Sequence, residues 1–385
     1  MLSGHLSPEE FLTRYWQKKP LLLHQALPAF VDPISPEELA GLACEEEAEA
    51  RLVWQRENTW ELKTGPFAEN DFTSLPEQGW TLLVQAVDHW FPAVKKLLAE
   101  VAFIPRWRIN DIMVSYATKN AGVGPHFDYY DVFIIQGQGS RRWKIGQHCD
   151  SGSELDSKHS GLKILKHFET NAEWELYPGD VLYIPPGVAH YGISRDDSLS
   201  YSIGFRAPSL SEILSHYTDE LCLTLTEDQR FSDPDLIPVQ NDGEISAAAI
   251  GKLSALLRPL LADEQALALW FGRYMSEPKV PQLLEAPEFE LDGQSLQQAL
   301  EQGMRLEKNP ASRFAWQNVA QELYCFADGR SFSLPHASEP LKTLLMQLNA
   351  WNDTLELEDL STEPDCLNLL AELYNQGSLI ETETT

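Results

Sequence analysis

The chain has 385 residues, of which 43% are hydrophobic and 10% aromatic, a composition that supports folded domains and excludes wholesale disorder. It carries 58 acidic and 29 basic residues, a formal charge of −29. Residues 1–208 contain 28 acids and 19 bases, whereas residues 209–385 contain 30 acids and 10 bases. Because such a chain repels phosphate backbones, direct nucleic-acid binding is disfavoured, and a basic protein is the favoured partner.

The cysteines and the amino-terminal segment indicate a cellular compartment. Five cysteines form no CxxC pair and leave one unpaired in any disulfide scheme, which suits a reducing environment. The first residues, MLSGHLSPEEFLTRYW, lack the basic patch and apolar run of a signal peptide, and no apolar stretch reaches about 20 residues. We therefore expect a soluble cytoplasmic protein with no membrane partner.

The first hundred residues are predicted to be mainly helical, with short extended pieces. Ser7-Pro8-Glu9-Glu10 and Ser35-Pro36-Glu37-Glu38 both have the composition of a capped helix start. The second of these predicts a helix through LAGLACEEEAEARLVW, with Glu45–Glu47 on its solvated face. The intervening LLLHQAL is predicted to be a buried strand.

From about residue 107 to 206 the pattern becomes that of short strands. INDIMVSYAT, YDVFIIQG, SRRWKIG, EWELYPGDVLYIPP and LSYSIGFRA are separated by Gly, Pro and Asp turns. The turns Pro178-Gly179-Asp180 and Pro185-Pro186-Gly187 delimit a strand at 181–184. This spacing predicts a β-sandwich or barrel of the jelly-roll type within a domain spanning residues 1–208.

The rest of the chain is predicted to form two further units. Residues 209–277 are helical, with apolar runs such as LALWF and LSALLRPLL that exceed the needs of one small subdomain. Those runs predict a homodimer, since symmetric dimers are the commonest way to cover such a surface. The Pro- and acid-rich stretch SEPKVPQLLEAPEFELDGQ leads into a third unit at 278–385, with helices in SLQQALEQGMRLE, LKTLLMQLNAWN and CLNLLAELYNQG.

The motif His126-Phe127-Asp128, followed 64 residues later by His190, is the strongest chemical signal. In a strand, residues i and i+2 face the same side, so the His126 ring and the Asp128 carboxylate can point at one atom. A jelly roll would bring His190 beside them. Two imidazoles and a carboxylate form the facial triad of non-haem Fe(II) oxygenases. The alternative is a chance HxD pattern beside an ordinary core or turn histidine.

Arg141 is the second candidate site residue. In SRRWKIGQ the alternation places Arg141, Trp143 and Ile145 on one face, which predicts an inward guanidinium that needs an anion. A carboxylate suits its two-donor fork. That carboxylate could be a fixed Asp or Glu of the core. Beside an Fe(II) site it would be the distal carboxylate of 2-oxoglutarate.

Two strands could supply small polar groups to the same cavity. Asp111, Met113 and Ser115 alternate inward if Ile112 and Val114 pack outward. The serines of SLSYSIGF also share one face, ahead of a glycine that leaves space; they are Ser198, Ser200 and Ser202. That row could equally be the polar outer face of the strand.

Three segments resemble the JmjC-type 2-oxoglutarate oxygenases, and most closely the bacterial ribosomal oxygenases, which are ribosomal-protein arginine hydroxylases. These are GVGPHFDYYDVFIIQGQGSRRWKIG, ELYPGDVLYIPPGVAHYGIS and SLSYSIGFRAP, and the opening FLTRYWQKKPLLLHQAL is also similar. The resemblance implies an α+β protein: a double-stranded β-helix (jelly-roll, cupin/JmjC) domain, a helical dimerisation region and a C-terminal winged-helix-like domain.

By motif position, the resemblance assigns His126, Asp128 and His190 as iron ligands and Arg141 as the 2-oxoglutarate residue. JmjC relatives often have Lys at that last position, and Arg fits the ribosomal oxygenase branch. Ser115 matches a polar position where a cosubstrate contact is expected. The implied cofactors are Fe(II), 2-oxoglutarate and O2.

The implied reaction is hydroxylation of an arginine side chain in a large-subunit ribosomal protein, with release of succinate and CO2. The basic charge of ribosomal proteins suits an enzyme of charge −29. Three alternatives stay open: hydroxylation of histidine or asparagine in a basic protein, a non-catalytic cupin-like binding module, and a JmjC demethylase.

Overall fold

The computed structural model describes the chain except for residues 1, 3, 57, 58, 158–160, 239–241, 335–337, 359, 361 and 383–385. The strands of residues 1–208 are β1 Leu21–Leu23, β2 Ala50–Arg56, β3 Thr59–Thr64, β4 Trp80–Val84, β5 Ile109–Ala117, β6 Val132–Gln136, β7 Arg141–His148, β8 Ala172–Leu176, β9 Val181–Ile184, β10 Val188–Ser194 and β11 Ser198–Phe205. The helices of this part are α1 Pro8–Arg14, α2 Pro36–Leu42, α3 Glu69–Thr73 and α4 Pro92–Lys95.

These strands form two antiparallel sheets that face each other. The larger sheet has the order β1-β9-β6-β11-β5-β4-β2-β3, and the smaller has the order β10-β7-β8. Strands that are distant in sequence are neighbours in each sheet, as in a jelly roll. The predicted jelly-roll architecture is therefore present.

The alternating side chains of β6 are all buried, and they belong to two separate hydrophobic cores. Val132 and Ile134 face the smaller sheet, where they pack with Trp143 of β7. Phe133 and Ile135 face the opposite way, into a core closed by the amino-terminal helices through Phe11 and its neighbours. Both faces of this central strand are thus covered, which keeps the walls of the interior cavity rigid.

The helix predicted across residues 36–54 is wrong in its second half. α2 ends at Leu42, Glu45–Glu47 lie in an irregular turn, and β2 begins at Ala50. β2 pairs with β3, which follows it almost directly, and with the more distant β4, so both of its edges are hydrogen-bonded in the sheet. Tertiary pairing of this kind overrides local propensity.

The remaining chain forms helices and a smaller mixed unit. The helices are α5 Leu210–Thr224, α6 Ala247–Leu261, α7 Glu264–Ser276, α8 Gly293–Glu301, α9 Glu339–Leu348 and α10 Pro364–Asn375. The strands are β12 Arg305–Lys308, β13 Phe314–Val319, β14 Glu322–Ala327, β15 Arg330–Leu334 and β16 Leu379–Thr382. β13, β14 and β15 form one antiparallel sheet, and β12 pairs with β16. The sequence predicted the three helices of this unit but not β12, β13, β14 or β16. The predicted helix SLQQALEQGMRLE is wrong at its end, because α8 stops at Glu301 and the chain from Arg305 pairs with β16 instead.

Polar contacts join the C-terminal unit to the jelly roll. Lys95 donates to a carboxylate oxygen of Asp353 at 2.7 Å, and Arg313 donates to the carbonyl of Asn110 just before the inward part of β5. Among the described residues, no helix combines the length and apolarity needed to cross a lipid bilayer.

Candidate active site

Two backbone contacts bring His126, Asp128 and His190 together. His126 and His190 exchange both backbone hydrogen bonds, at 3.1 and 2.8 Å, so the HxD segment pairs with β10. The carbonyl of Asp128 accepts from the N–H of Gly187 at 2.7 Å. Gly187 has a φ of +77°, and a Cβ there would lie 2.8 Å from the His148 ring. The Pro-Pro-Gly turn therefore needs glycine to start β10 in this register.

The three side chains converge on one point. Their ligand atoms all lie within 4.8 Å of one another, and His190 Nε2 is 3.7 Å from a carboxylate oxygen of Asp128. The Nδ1 of His126 lies 2.9 Å from the carbonyl of Gly124, and that of His190 lies 2.9 Å from the carbonyl of Val188. A carbonyl can only accept, so each Nδ1 is the protonated nitrogen and each Nε2 lone pair is free for a metal.

His190 is held in the neutral form that binds metal. It is buried, with 3% of its surface exposed. Burial, followed by the nearby His126 ring, lowers the pKa of His190 to about 4. The imidazole is therefore uncharged at neutral pH, and metal binding does not have to displace a proton from it.

Arg141 points inward from β7, as the alternation predicted, and its partners are serines. Nε donates to Ser198 Oγ at 2.9 Å and Nη1 donates to Ser115 Oγ at 2.8 Å. Nη2 donates to the carbonyls of Ser115 and Ser198, at 2.9 and 3.0 Å. Burial lowers the pKa of the guanidinium to about 9, so it is still a cation at neutral pH.

The alternative that a core Asp or Glu pairs with Arg141 does not hold. No ion pair to Arg141 occurs in the part of the chain that the structure describes. Its four hydrogen bonds to serines leave one of the five N–H groups of an arginine without a described acceptor. Because a buried unpaired cation is costly, this end of the site is arranged for an anion from outside.

The serines of β11 face inward and are not the polar outer face of the strand. Ser198 and Ser200 are buried at 0% and 1% exposure. Ser194 Oγ lies 2.7 Å from Ser198 Oγ, and Ser115 Oγ lies 3.1 Å from Ser200 Oγ. These hydroxyls therefore form a network that fixes the Arg141 guanidinium.

One cavity of about 550 Å³ connects the triad, Arg141 and Ser115, whereas the buried Ser198 does not line it. The predicted inward residues of β5 line it, as do the triad and Arg141. Asp111 and Ser115 are four residues apart on the same face of β5, so they are separated by about 13 Å along the strand. The cavity thus has a cation, Arg141, near one end of β5 and a carboxylate, Asp111, near the other.

Comparison with known proteins agrees with this geometry. Residues 96–213 match the JmjC domain family, and residues 259–380 match the ROXA-like winged helix family. The chain is 36% identical over 377 residues to the ribosomal protein uL16 3-hydroxylase of Escherichia coli, and the match covers 96% of each chain. It is 38% identical over 284 residues to a probable ribosomal oxygenase of Haemophilus influenzae, covering 70% of this chain and 68% of that one.

A solved structure of Escherichia coli YcfD, a ribosomal oxygenase in complex with cobalt and 2-oxoglutarate, superposes with a TM-score of 0.84. It is 35% identical and covers 98% of this chain and 99% of that chain. The chain belongs to the bacterial JmjC-type ribosomal oxygenases. The predicted family, the predicted fold class and the predicted enzyme class, a 2-oxoglutarate-dependent dioxygenase, are confirmed, and so is the prediction of Fe(II), 2-oxoglutarate and O2 as its cofactors.

Among the cavity residues that sequence reasoning missed, Lys279 and Gln85 lie next to Asp111. Lys279, from the segment after α7, donates from Nζ to Asp111 Oδ2 at 2.6 Å and to Gln85 Oε1 at 3.3 Å. Neither Lys279 nor Gln85 belongs to a motif, and Lys279 lies 168 residues from Asp111 in the chain. No local pattern could have paired them.

The residues that follow the HxD motif have divided roles. Tyr130 lines the cavity, whereas Tyr129 is 56% exposed. Asp131 is fully buried outside the cavity, where it accepts from the Tyr183 hydroxyl at 2.6 Å and from Gln17 Nε2 at 2.9 Å. Asp131 therefore ties the amino-terminal segment to β9.

Proposed function

We propose that this oxygenase hydroxylates an arginine side chain of a basic large-subunit ribosomal protein, and that uL16 is that protein. The main structural support for this proposal is the distribution of charge in the cavity. A buried guanidinium without a carboxylate partner lies near one end, and a carboxylate already bound to a cation lies near the other. The name of the Escherichia coli relative, ribosomal protein uL16 3-hydroxylase, supports the choice of substrate.

His126, Asp128 and His190 would hold Fe(II). Two imidazole nitrogens and one carboxylate oxygen are the donor set of non-haem Fe(II) oxygenases, and both Nε2 atoms are free here. The bound metal supplies the O2 activation that couples decarboxylation of 2-oxoglutarate, to succinate and CO2, with hydroxylation of a C–H bond. The carbonyls of Gly124 and Val188 fix both rings, so the ligand geometry is set before metal binds.

Arg141 would bind the distal carboxylate of 2-oxoglutarate. Its free N–H group provides one charge-assisted hydrogen bond, while the hydroxyls of Ser115 and Ser198 accept from its other donors and hold the guanidinium in place. Ser115 is therefore a positioning residue that acts chiefly through the guanidinium. Burial at 6% exposure strengthens the attraction, because water screens it little.

Asp111 would bind the guanidinium of the substrate arginine. The carboxylate is buried at 3% exposure, and one backbone and one side-chain donor hold it in place: the N–H of Ala86 at 2.9 Å and Nδ2 of Asn110 at 2.7 Å. A planar guanidinium can present two donors to it, and Tyr130, which also lines the cavity, provides an aromatic surface. With its charge held there, the aliphatic part of the side chain extends toward the triad, where water must be excluded.

The decisive experiment is intact-mass analysis. Purified enzyme, Fe(II), 2-oxoglutarate and air are incubated with free large-subunit proteins from cells that lack the enzyme. We expect one protein, uL16, to gain a single oxygen atom, and peptide fragmentation to place it on an arginine. His126→Ala should give no gain. Asp111→Asn should raise the KM for uL16 about 30-fold, roughly 2 kcal/mol, and leave the KM for 2-oxoglutarate nearly unchanged.

The other outcomes correspond to the alternatives. Oxygen on a histidine or asparagine would keep the enzyme class and overturn the arginine assignment, and loss of methyl groups would identify a demethylase. Consumption of 2-oxoglutarate with no protein modified would contradict the assignment of a ribosomal protein as the substrate. An iron-loaded enzyme that turns over no 2-oxoglutarate would favour a binding module. Replacing the modified arginine of uL16 by lysine should weaken binding, since lysine cannot form the two-donor contact.

The acidity of the chain supports action on the free ribosomal protein. A charge of −29 attracts a basic protein and is repelled by ribosomal RNA, so uL16 should be modified before it is assembled. The same charge argues against direct nucleic-acid binding by the C-terminal unit. Equal rates on free uL16 and on intact ribosomes from cells lacking the enzyme would contradict this proposal.

A second copy of the chain is the proposed partner for the helices at 209–277. α6 buries none of its residues, and one face of it carries exposed apolar side chains at helical spacing; they are Ile250, Leu253, Leu257 and Leu261. We expect a dimer in sedimentation at micromolar concentration, and Leu253→Asp with Leu257→Asp should give monomers. A parent protein that sediments as a monomer would refute the dimer.

A further inference from the structure

A lysine from outside the jelly roll occupies the carboxylate end of the cavity. Lys279 lies between the end of α7 and the C-terminal unit, and its side chain is 20% exposed, whereas that of Asp111 is 5% exposed. Its ammonium donates to Asp111 Oδ2 at 2.6 Å and to Gln85 Oε1 at 3.3 Å. Both contacts are on the wall of the cavity that the substrate arginine must enter.

The carboxylate does not depend on this lysine for its position. Asp111 is already held by the N–H of Ala86, which follows β4, and by Nδ2 of Asn110, its neighbour on β5. The ammonium shares Oδ2 with Ala86. Lys279 therefore neutralises a carboxylate that would otherwise be buried without a cation, which is costly, and it contributes little to its orientation.

The lysine can also leave without moving the fold. The end of α7 is fixed by Arg206, which donates to the carbonyls of Tyr274 and Met275 at 3.1 and 2.8 Å. In the described part of the chain, no backbone–backbone hydrogen bond is made by residues 278 and 279. Rotation about the four side-chain bonds of Lys279 would take the ammonium to solvent while Arg206 keeps the segment in place.

We propose that Lys279 is an internal competitor of the substrate: its ammonium occupies the cation position at Asp111 in the free enzyme, and the substrate guanidinium displaces it. The inference rests on the proposed function, because it requires a guanidinium at Asp111. Displacement exchanges a single N–H contact for a two-donor contact, which favours arginine. While the cavity is empty, Lys279 keeps the buried carboxylate paired and raises the substrate concentration needed for binding.

The test is the dissociation constant of uL16, measured anaerobically with Fe(II) and 2-oxoglutarate so that no turnover occurs. If Lys279 occupies the position nine-tenths of the time, Lys279→Met should lower the Kd about tenfold. Lys279→Arg retains a competitor and should not lower it. Lys119→Met, which removes one positive charge from an exposed site beyond the other end of β5, is the matched control and should leave the Kd unchanged. An unchanged or higher Kd for Lys279→Met would overturn the proposal.

A second measurement needs no variant and so does not depend on how Lys279→Met folds. The parent enzyme is treated briefly with an amine-acetylating reagent, and acetylation of each lysine is followed by peptide mass spectrometry. Saturating uL16 should increase the rate at Lys279 several-fold relative to Lys119, because displacement exposes the ammonium. A rate at Lys279 that stays constant or falls would show that the lysine remains on Asp111.

The two proposals fail in different ways. If the parent enzyme neither binds nor hydroxylates uL16, the proposed function fails and Lys279 has no competitor role toward that substrate. If the parent hydroxylates an arginine and neither the Kd nor the acetylation rate responds as expected, only the role of Lys279 fails.

Discussion

Arg141 in the oxygenase cavity and Lys308 in the C-terminal unit are both buried basic side chains that donate to neutral acceptors. Only Arg141 keeps an N–H group without a described acceptor. Lys308 is 1% exposed and donates to the carbonyls of Gln347, Leu348 and Ala350, at 3.1, 3.3 and 2.6 Å. These three contacts use every N–H of its ammonium. Arg141 makes four hydrogen bonds with five N–H groups and lines a cavity.

The difference shows how a buried charge can be assigned a role. Lys308 supplies donors to carbonyls at and just beyond the end of α9, so its N–H groups satisfy a helix terminus. The donors of Arg141 exceed its acceptors, and the space beside it is empty of protein. Burial alone therefore does not identify a binding site; an unused donor that faces a cavity does.

Replacing Arg141 should give the largest effect on activity and little effect on folding. Arg141→Met should raise the KM for 2-oxoglutarate at least a hundredfold, roughly 3 kcal/mol, because the charge-assisted contacts to the anion are lost. Stability should change little, since a buried cation is itself costly. Steady-state kinetics and a thermal melt check both parts, and Arg142→Met on the outer face of β7 is the control. A normal KM would show that 2-oxoglutarate is held elsewhere.

Replacing Lys308 should have the opposite effect: a loss of stability without a loss of activity. Lys308→Met leaves the carbonyl of Leu348 without a described donor, whereas the carbonyls of Gln347 and Ala350 keep the Ala350 N–H and Arg106 Nη1. It should lower the free energy of unfolding by about 1 kcal/mol. Activity per folded molecule should be retained, because Lys308 does not line the cavity. Urea unfolding at pH 9.5, where discharging the lysine on folding costs much less than at neutral pH, checks the prediction, with activity measured on the same samples. Loss of activity without loss of stability would reverse the roles assigned to the two cations.

The pH dependence of stability sharpens the comparison further. Burial, followed by the nearby Arg106 guanidinium, lowers the pKa of Lys308 to about 7, from 10.5 in the unfolded chain. Between these values the unfolded chain binds a proton that the folded protein does not, so stability contributed through Lys308 rises with pH. The slope is at most about 1.4 kcal/mol per pH unit. Urea unfolding from pH 7.5 to 9.5 should be flatter in Lys308→Met, and parallel curves would contradict the shift.

How far the sequence predicts this molecule depends on the range of the interactions. The inward directions of Arg141 and Ser115 follow from strand alternation, and the closeness of His126 to Asp128 follows from their spacing. Ser198 could not be assigned a face from sequence, because its row is polar on either interpretation; its contact with Arg141 decides it. The contact of Lys279 with Asp111 spans 168 residues and was unpredictable for that reason.

The same limit explains the errors in secondary structure. β2 was predicted as helix because its local composition favours one, and its strand form depends on pairing with β3 and β4. β13 and β14 were missed, although they pair with each other directly through a short turn at Ala320 and Gln321, both of which have positive φ. Neither residue is a usual sign of such a turn, so the hairpin had no local signal.

Replacing Ser115 should have the smallest effect of these substitutions. It tests whether the neighbouring hydroxyls hold the Arg141 guanidinium in position. Ser115→Ala removes one acceptor of Nη1, but the Ser115 carbonyl and both Ser198 contacts remain. The KM for 2-oxoglutarate should therefore rise only about fivefold, close to 1 kcal/mol, with kcat little changed and Ser115→Thr restoring the parent value. Ser200→Ala, one hydroxyl further from the guanidinium, should cost less. If Ser115→Ala matched Arg141→Met, the hydroxyl would contact 2-oxoglutarate itself; if it had no effect, Ser198 and the carbonyls alone would suffice to position Arg141.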